Sequence, residues 1–167
     1  ANAGQVVGVG DTNGDGVPDC LVGGYGAHAN DTNSGVAYVL EGPLAGVVDA
    51  IDADAFLTGE STYDYAGWAI AAAGDTNGDG LADLLISSVR SNGVGKVYLV
   101  RSPNSGTSSL GRADAILREE TVFDEAGKSL DGGHDVDGDG FGDLLIGAPG
   151  SDLGGANSGA AYVVGGT

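Results

Sequence analysis

The sequence is poor in the features that mark several common protein classes. It has one cysteine, Cys20, which excludes a disulfide bond within the chain. No apolar run approaches the roughly 20 residues that a transmembrane helix needs, so we expect no membrane insertion. No segment shows a sustained helical period of apolar residues either. The sequence therefore favours a strand-rich fold without a disulfide framework.

Basic residues are also scarce. Lys and Arg number 6 against 24 Asp and Glu, which gives a formal net charge of −18. Nucleic acids and anionic membranes both bind basic surfaces, so we expect neither as a partner. The acidic balance does not identify a positively charged partner, because an acidic surface that only contacts water gives the same composition.

Much of the acidic charge lies in three nine-residue loops at residues 11–19, 75–83 and 135–143. Each loop has oxygen-bearing side chains at positions 1, 3, 5 and 9 and glycine at positions 4 and 6. Side chains at alternating positions of a tight turn converge, and glycine adopts the positive φ that the sharp bend needs. A loop of this kind can surround a hard cation.

The spacing predicts the ligands of three cation sites. Each site takes the side chains at positions 1, 3, 5 and 9 and the backbone carbonyl at position 7. The first comprises Asp11, Asn13, Asp15, the carbonyl of Val17 and Asp19. The second comprises Asp75, Asn77, Asp79, the carbonyl of Leu81 and Asp83. The third comprises Asp135, Asp137, Asp139, the carbonyl of Phe141 and Asp143.

The donor atoms indicate which cation these sites hold. Ligation by many protein oxygens favours Ca²⁺ over Mg²⁺, which keeps its waters, and no His or Cys stands where zinc would need it. Position 12 is Val22, Ile86 or Ile146 rather than the bidentate Glu of an EF-hand. The third site has one more carboxylate than the others, so we expect it to bind most tightly. The alternative is a turn rich in Asp, Asn and Gly without a metal, and three loops in register favour the cation.

The loops also mark internal repeats, because their first residues are 64 and 60 positions apart. The repeats cover about residues 3–65, 66–125 and 126–167, and residues 53–67 align with 113–127 without a gap. Within each repeat we predict a strand before the loop (about 4–9, 67–73 and 127–132) and a second after it (20–23, 84–88 and 144–147). A third strand carries a Tyr (36–40, 96–100 and 160–164), and a fourth follows only in the first two repeats (55–58 and 115–118).

Four short strands in a repeat of about 60 residues predict an all-β fold made of β-propeller blades. A parallel β-helix has much shorter coils, and a sandwich would not repeat so strictly. The whole chain is expected to form one propeller region. It supplies two full blades and a third that lacks its fourth strand, whereas propellers have four to eight blades.

The motifs around the loops resemble those of the FG-GAP repeat family, which forms the propeller of integrin α subunits. The second repeat has Ala-Gly at 66–67, Asp-Leu-Leu-Ile at 83–86 and Gly-Lys-Val-Tyr at 95–98. The third has Asp-Leu-Leu-Ile-Gly-Ala-Pro-Gly at 143–150 and Gly-Ala-Ala-Tyr at 159–162. The resemblance implies a β-propeller with Ca²⁺ between the first two strands of each blade and a role in scaffolding or recognition. Ala3, Ala66 and Ala126 replace the Phe that the family usually has before this glycine.

These observations lead to a hypothesis about function. We expect a non-enzymatic, calcium-binding, integrin-like module, secreted or at the cell surface, that binds a protein or glycan through loops opposite the cation sites. The candidate contact loops are residues 25–34, 89–93 and 150–158. An arc of three blades exposes two apolar faces, so we expect a homo-oligomer or a larger propeller with additional repeats. The alternatives are the non-catalytic propeller of a secreted phospholipase or polysaccharide-degrading enzyme, and a purely structural or engineered propeller fragment.

Overall fold

The computed structural model describes residues 4–89, 94–119, 121 and 123–167. Over these residues the chain forms twelve β-strands and two short 3₁₀ turns, and no α-helix. None of the described segments is a helix long and apolar enough to cross a membrane. The predicted all-β class is confirmed.

The strands form three sheets, which we call blades I, II and III. Blade I contains β1 (Gln5–Gly10), β2 (Asp19–Gly23), β3 (Val36–Leu40) and β4 (Ala55–Thr58). Blade II contains β5 (Ile70–Gly74), β6 (Asp83–Ser88), β7 (Lys96–Val100) and β9 (Ala115–Arg118). Blade III contains β10 (Ser129–His134), β11 (Asp143–Ala148) and β12 (Ala160–Val164). Successive strands within each blade pair antiparallel, and the sheets do not close on themselves, as expected for an incomplete propeller.

The first strands of blades II and III begin later than the sequence predicted, at Ile70 and Ser129 instead of residues 67 and 127. The Ala-Gly pair before β5 contacts the preceding blade, because Ala66 forms a parallel bridge with Gly35 of blade I. A side chain at Gly35 would collide with the backbone of Ala66, so this close approach requires glycine. The pair is a joint between blades rather than the start of a strand.

The apolar core lies between the blades. We call the side of each blade that meets the following blade its forward face, and the opposite side its rear face. Leu21 and Val39 on the forward face of blade I pack in one cluster with Leu84 and Tyr98 on the rear face of blade II. A second cluster joins the forward face of blade II to Leu144 and Ile146 of blade III. Both faces of blade II are therefore buried.

One strand was not predicted. Residues Gly106–Ser109, between β7 and β9 of blade II, form β8, which adds in parallel to the outer edge of β4 in blade I. Blade I thereby becomes a sheet of five strands, and its fifth strand belongs to the next repeat.

A polar contact also crosses the joint between blades I and II. The carboxylate of Glu60 accepts hydrogen bonds from Lys96 Nζ and from Tyr98 Oη, each at 2.8 Å. Lys96 is 8% exposed and Tyr98 is fully buried. The hydrogen bond from Lys96 holds the pKa of Glu60 below its ordinary value, while burial and the Glu60 carboxylate raise the pKa of Tyr98. Glu60 thus neutralises a buried lysine and satisfies a buried hydroxyl.

Replacing Glu60 by Gln should lower the free energy of unfolding by about 1–2 kcal/mol at pH 7, because Lys96 loses its counter-charge. Since the folded-state pKa of Glu60 is depressed, its contribution exists above the ordinary pKa of glutamate and disappears as the pH falls through the folded value. Urea unfolding at pH 7 and at pH 3 measures both effects. The exposed pair of Glu125 and Lys128 offers the control, and Glu125→Gln should change the free energy by less than about 0.5 kcal/mol.

Candidate metal centres

Each acidic loop connects the first and second strands of its blade, so all three lie at one end of the blades, which we call the cation end. A β-bulge precedes each loop, at residues 8–10, 72–74 and 132–134. Gly10 and Gly74 adopt positive φ there, whereas the third bulge has positive φ at Gly133. Residue 134 is His, which rarely adopts this conformation, so the neighbouring glycine takes it one position earlier.

The aspartate at position 1 organises the loop that follows it. Asp11 accepts hydrogen bonds from the amides of Gly14 at 2.7 Å and Gly16 at 2.8 Å. Asp75 and Asp135 accept the equivalent amides at 2.6–3.0 Å. The turn therefore folds around the carboxylate at position 1.

The aspartate at position 9 ties the loop to the rest of the blade. Asp83 is fully buried; it accepts from the amide and hydroxyl of Thr76 and from the amide of Ser102, just beyond β7. Asp19 accepts the equivalent hydrogen bonds, from the amide and hydroxyl of Thr12 and from the amide of Gly42. In blade III, Asp143 accepts from the amides of residues 136 and 166. Each of these carboxylates joins its loop to the end of the third strand.

The side chains at positions 5 and 3 accept hydrogen bonds from the backbone of their own loop. The carboxylates of Asp15, Asp79 and Asp139 at position 5 are exposed, and each accepts from the amide of the position 7 residue at 2.7–2.9 Å. The side-chain oxygen at position 3 accepts from the amide at position 5 at 2.9–3.1 Å. Cation ligation by the loop side chains and by the carbonyls of Val17, Leu81 and Phe141 stays a prediction.

The third loop brings carboxylates closest together. Asp135, Asp137 and Asp143 each offer an oxygen within 4.8 Å of the other two, and they are the one such group of acidic, His or Cys residues in the described chain. The first two loops have asparagine in place of Asp137, so they bring fewer carboxylates to the same place. The donor atoms are all oxygen, which suits a hard divalent cation.

Three loop carboxylates have pKa values below their ordinary range. The Gly16 amide is the main cause at Asp11, and the Val136 amide is the main cause at Asp143. At Asp75 partial burial acts to raise the pKa, but hydrogen bonds from four loop amides, those of residues 77 to 80, together outweigh it and lower the pKa. All three carboxylates are therefore charged at neutral pH, as ligation of a cation requires.

Neighbouring loops also contact one another. The amide of Ala82 donates to the carbonyl of Asp11 at 2.8 Å, and the amide of Gly142 donates to the carbonyl of Asp75 at 2.8 Å. The first residue of a cation loop therefore organises its own turn through its side chain and bonds the next blade through its backbone.

The opposite end of the blades carries loops of two kinds. Of the predicted contact loops, residues 25–34 and 150–158 lie there, whereas residues 90–93 fall outside the described residues. The loops that lead from one blade to the next lie beside them. The amide of Tyr63 donates to the carbonyl of Thr32 at 2.9 Å, and the amide of Gly150 donates to the carbonyl of Asp124 at 3.0 Å.

The blade-to-blade loops expose aromatic side chains that the sequence analysis did not select. Tyr63 is 51% exposed and Phe123, at the equivalent position of the next repeat, is 79% exposed. Both have positive φ, at 61° and 77°, a conformation that costs a bulky residue of the order of 1–3 kcal/mol. Tyr25 and Trp68 also lie at this end and form an aromatic pair, with ring centroids 5.1 Å apart. The sequence signal for these side chains was the gapless alignment of residues 53–67 with 113–127, which pairs Tyr63 with Phe123 in a loop.

Comparison with known proteins relates the chain to a repeat family and to an integrin. The model of the FG-GAP repeat matches residues 66–100 and 126–164. Integrin alpha-3 of Cricetulus griseus is 31% identical over 150 residues, an alignment that covers 87% of this chain and 14% of the integrin. The chain thus spans about one seventh of the length of that relative.

The geometry of position 9 predicts a structural role that does not need a cation. Asp83→Asn should lower the free energy of unfolding in excess EGTA by about 1–3 kcal/mol, because an amide group cannot accept from both Thr76 and Ser102 as the carboxylate does. Asp79→Asn, in an exposed position of the same loop, is the control and should change this value by less than about 0.5 kcal/mol. Equal effects of the two substitutions in chelator would contradict the assignment.

Proposed function

The chain contains FG-GAP repeats of the integrin α type, and on this premise we propose that it is a calcium-binding propeller module that serves an extracellular protein as a scaffold or an adhesion and recognition domain. The observation that carries the proposal is the recurrence of one oxygen-rich loop in all three blades. In the third blade three carboxylates of that loop approach within 4.8 Å. Three like charges at this distance repel each other unless a cation neutralises them.

The proposed ligands are the side chains at positions 1, 3, 5 and 9 and the carbonyl at position 7 of each loop. A bound Ca²⁺ would supply positive charge to the cluster and fix the turn. Because adjacent loops are bonded through the carbonyls of Asp11 and Asp75, fixing one loop also stabilises the joint to the next blade. Extracellular Ca²⁺ reaches the millimolar range in which even weak sites of this class fill, which favours a secreted or cell-surface location.

We propose a non-enzymatic role because the chain lacks an evident set of catalytic groups. It has no Gly-x-Ser-x-Gly motif, and the acidic side chains that converge among the described residues belong to a cation loop. His28 Nδ1 accepts from the amide of Asn33 at 3.3 Å, and His134 belongs to the bulge before the third loop. If the chain is part of a secreted enzyme, we place the catalysis in another domain. The third alternative remains a purely structural propeller fragment.

The end opposite the cation loops is the proposed recognition surface for a protein or glycan. Tyr63 and Phe123 present exposed aromatic rings in equivalent loops, and Tyr25 and Trp68 add a partly buried pair. Aromatic side chains supply a large contact area at low entropic cost, and they dominate many protein interfaces.

Calcium should stabilise the chain against thermal unfolding. A site that is filled at 100 times its dissociation constant contributes about 2.7 kcal/mol, because the cation binds the folded state alone. Melts in Ca²⁺ and in EGTA measure the effect, and identical melting temperatures would contradict the proposal. Isothermal titration should resolve a tightest site that Asp137→Asn weakens, whereas the converse change Asn77→Asp should strengthen the second site, which gives a matched pair of variants.

The recognition surface predicts the behaviour of a second pair of variants. A partner found among purified extracellular-matrix proteins and neutral glycans should bind Tyr63→Ser and Phe123→Ser about tenfold or more weakly, since exposed aromatic residues are frequent hot spots. Val47→Ser removes a fully exposed apolar side chain from the segment between β3 and β4 and should leave binding unchanged. Surface plasmon resonance in Ca²⁺ measures the three affinities. A loss in Val47→Ser alone would place the contact outside the proposed recognition surface.

A further inference from the structure

Residues 43–52 of blade I repeat the backbone of residues 103–112 of blade II. Gly46 and Gly106 both have positive φ, at 74° and 65°. Each segment ends in a 3₁₀ turn whose N-cap has φ −83° and ψ 137°, and the cap side chain accepts an amide at 3.2 Å. The two segments therefore fold alike.

In blade II this segment docks on the preceding blade. Its strand β8 adds to the outer edge of β4, where the amide of Gly106 donates to the carbonyl of Asp54 at 2.8 Å. Leu110, in the 3₁₀ turn that follows, is 1% exposed and belongs to the core between blades I and II. The segment fastens blade II to blade I at the outer rim.

The copy in blade I pairs with no strand among the described residues. It exposes Val47 fully, Ile51 to 76% and Leu44 to 41%. Exposed apolar residues on and beside an unpaired extended segment are a surface that soluble proteins normally cover.

The rear face of blade I is uncovered next to this segment. Val6 is 70% exposed there, whereas its equivalent Ile70 in blade II is 6% exposed. Tyr38 is half-buried, whereas its equivalent Tyr98 has no exposed surface. A groove of about 490 Å³ runs between Tyr38, Phe56 and Ile51 and joins the face to the segment. No charged residue occupies the rear-face positions, which are Val6, Gly8, Cys20, Val22, Val36, Tyr38, Leu40, Phe56 and Thr58.

We propose that residues 46–49 and the rear face of blade I form a docking site for a preceding blade of the same repeat type. The outer strand of that blade takes residues 46–49 as a parallel fifth strand, as β4 takes β8. The inference rests on the proposed propeller function and adds the surface and the strand through which the arc continues. The occupant is inferred from the chain itself, in which the same surface of blade II is covered by blade I.

A second copy of this chain fits the site less well than a full preceding blade. The forward face of its blade III has Asp131 where blade II has Ala71, which is 5% exposed. Burying an unpaired carboxylate at that position is unfavourable. Blade III also has no described fourth strand to which residues 46–49 could add.

The test is a four-blade protein in which an extra copy of residues 66–125 precedes residues 3–167. This copy offers the forward face and the outer strand of blade II to the rear face of blade I. We expect the thiol of Cys20, now half-buried, to react with a disulfide reagent at least tenfold more slowly than in the parent chain, because its equivalent Leu84 is fully buried. The amides of Gly46 and Val48 should exchange with deuterium at least tenfold more slowly.

Two proline variants separate strand addition from simple coverage of the face. The amide of Gly106 points toward β4. Because amide directions alternate along a strand, the amide of Ser108 points the same way, and the equivalent amide in the first copy is that of Val48. Val48→Pro should lower the melting temperature of the four-blade protein more than that of the parent. The matched control Val47→Pro removes an amide that points away from the partner, and it should affect both proteins alike.

The proposal would be overturned if Cys20 reacted with the disulfide reagent at the parent rate while slow deuterium exchange showed that the added blade was folded. Equal effects of Val48→Pro and Val47→Pro on the melting temperature of the four-blade protein would also overturn it. Protection of Cys20 in the parent chain that rises with its concentration would overturn it in favour of a second copy. All measurements are made in saturating Ca²⁺ and repeated in EGTA. Loss of the calcium effect on melting would refute the proposed function, whereas unprotected Cys20 with that effect intact would refute this inference alone.

Discussion

A single blade cannot bury its own apolar surface, and the rest of the structure depends on this constraint. Each blade is one sheet thick, so an apolar side chain on either face leaves water only when another blade covers it. The clusters accordingly combine residues of two blades, as with Leu21 and Leu84 or Leu85 and Ile146. Stability is therefore a property of the joints between blades, as in other repeat proteins, in which each unit contacts mainly its neighbours.

The cation loops belong to these joints as much as to their own blades. The side chain of Asp75 folds its turn, while its carbonyl bonds the amide of Gly142 in the following blade. The side chain of Phe141 packs over Gly78 of the neighbouring loop. Because the loops are in matching register, one residue can stabilise its own loop through its side chain and the next blade through its carbonyl. An isolated turn rich in Asp and Gly would have no reason to recur at this spacing.

The sequence was sufficient for the features that repeat and insufficient for those that depend on a neighbouring blade. The loops, the alternation of their strands and the missing fourth strand of blade III follow from local pattern and alignment. Strand β8 could not be predicted because Gly-Thr-Ser-Ser has weak strand propensity, and its pairing partner lies in another repeat. The late start of β5 has the same origin, since Ala66 bonds blade I instead of its own sheet. The positive φ of Tyr63 and Phe123 likewise reflects packing that no local rule specifies.

Two segments with one backbone and different side chains show how environment, rather than local geometry, selects residues at the rim. The paired segment at 106–109 is polar, as suits an edge strand whose far side meets water. The unpaired segment at 46–49 contains two valines in the same positions. Because the glycine, the cap and the 3₁₀ turn are shared, folding of the segment itself does not require these valines. Their apolar character indicates a contact that the described chain does not supply, and the uncovered rear face beside them places that contact on the side from which a propeller would continue.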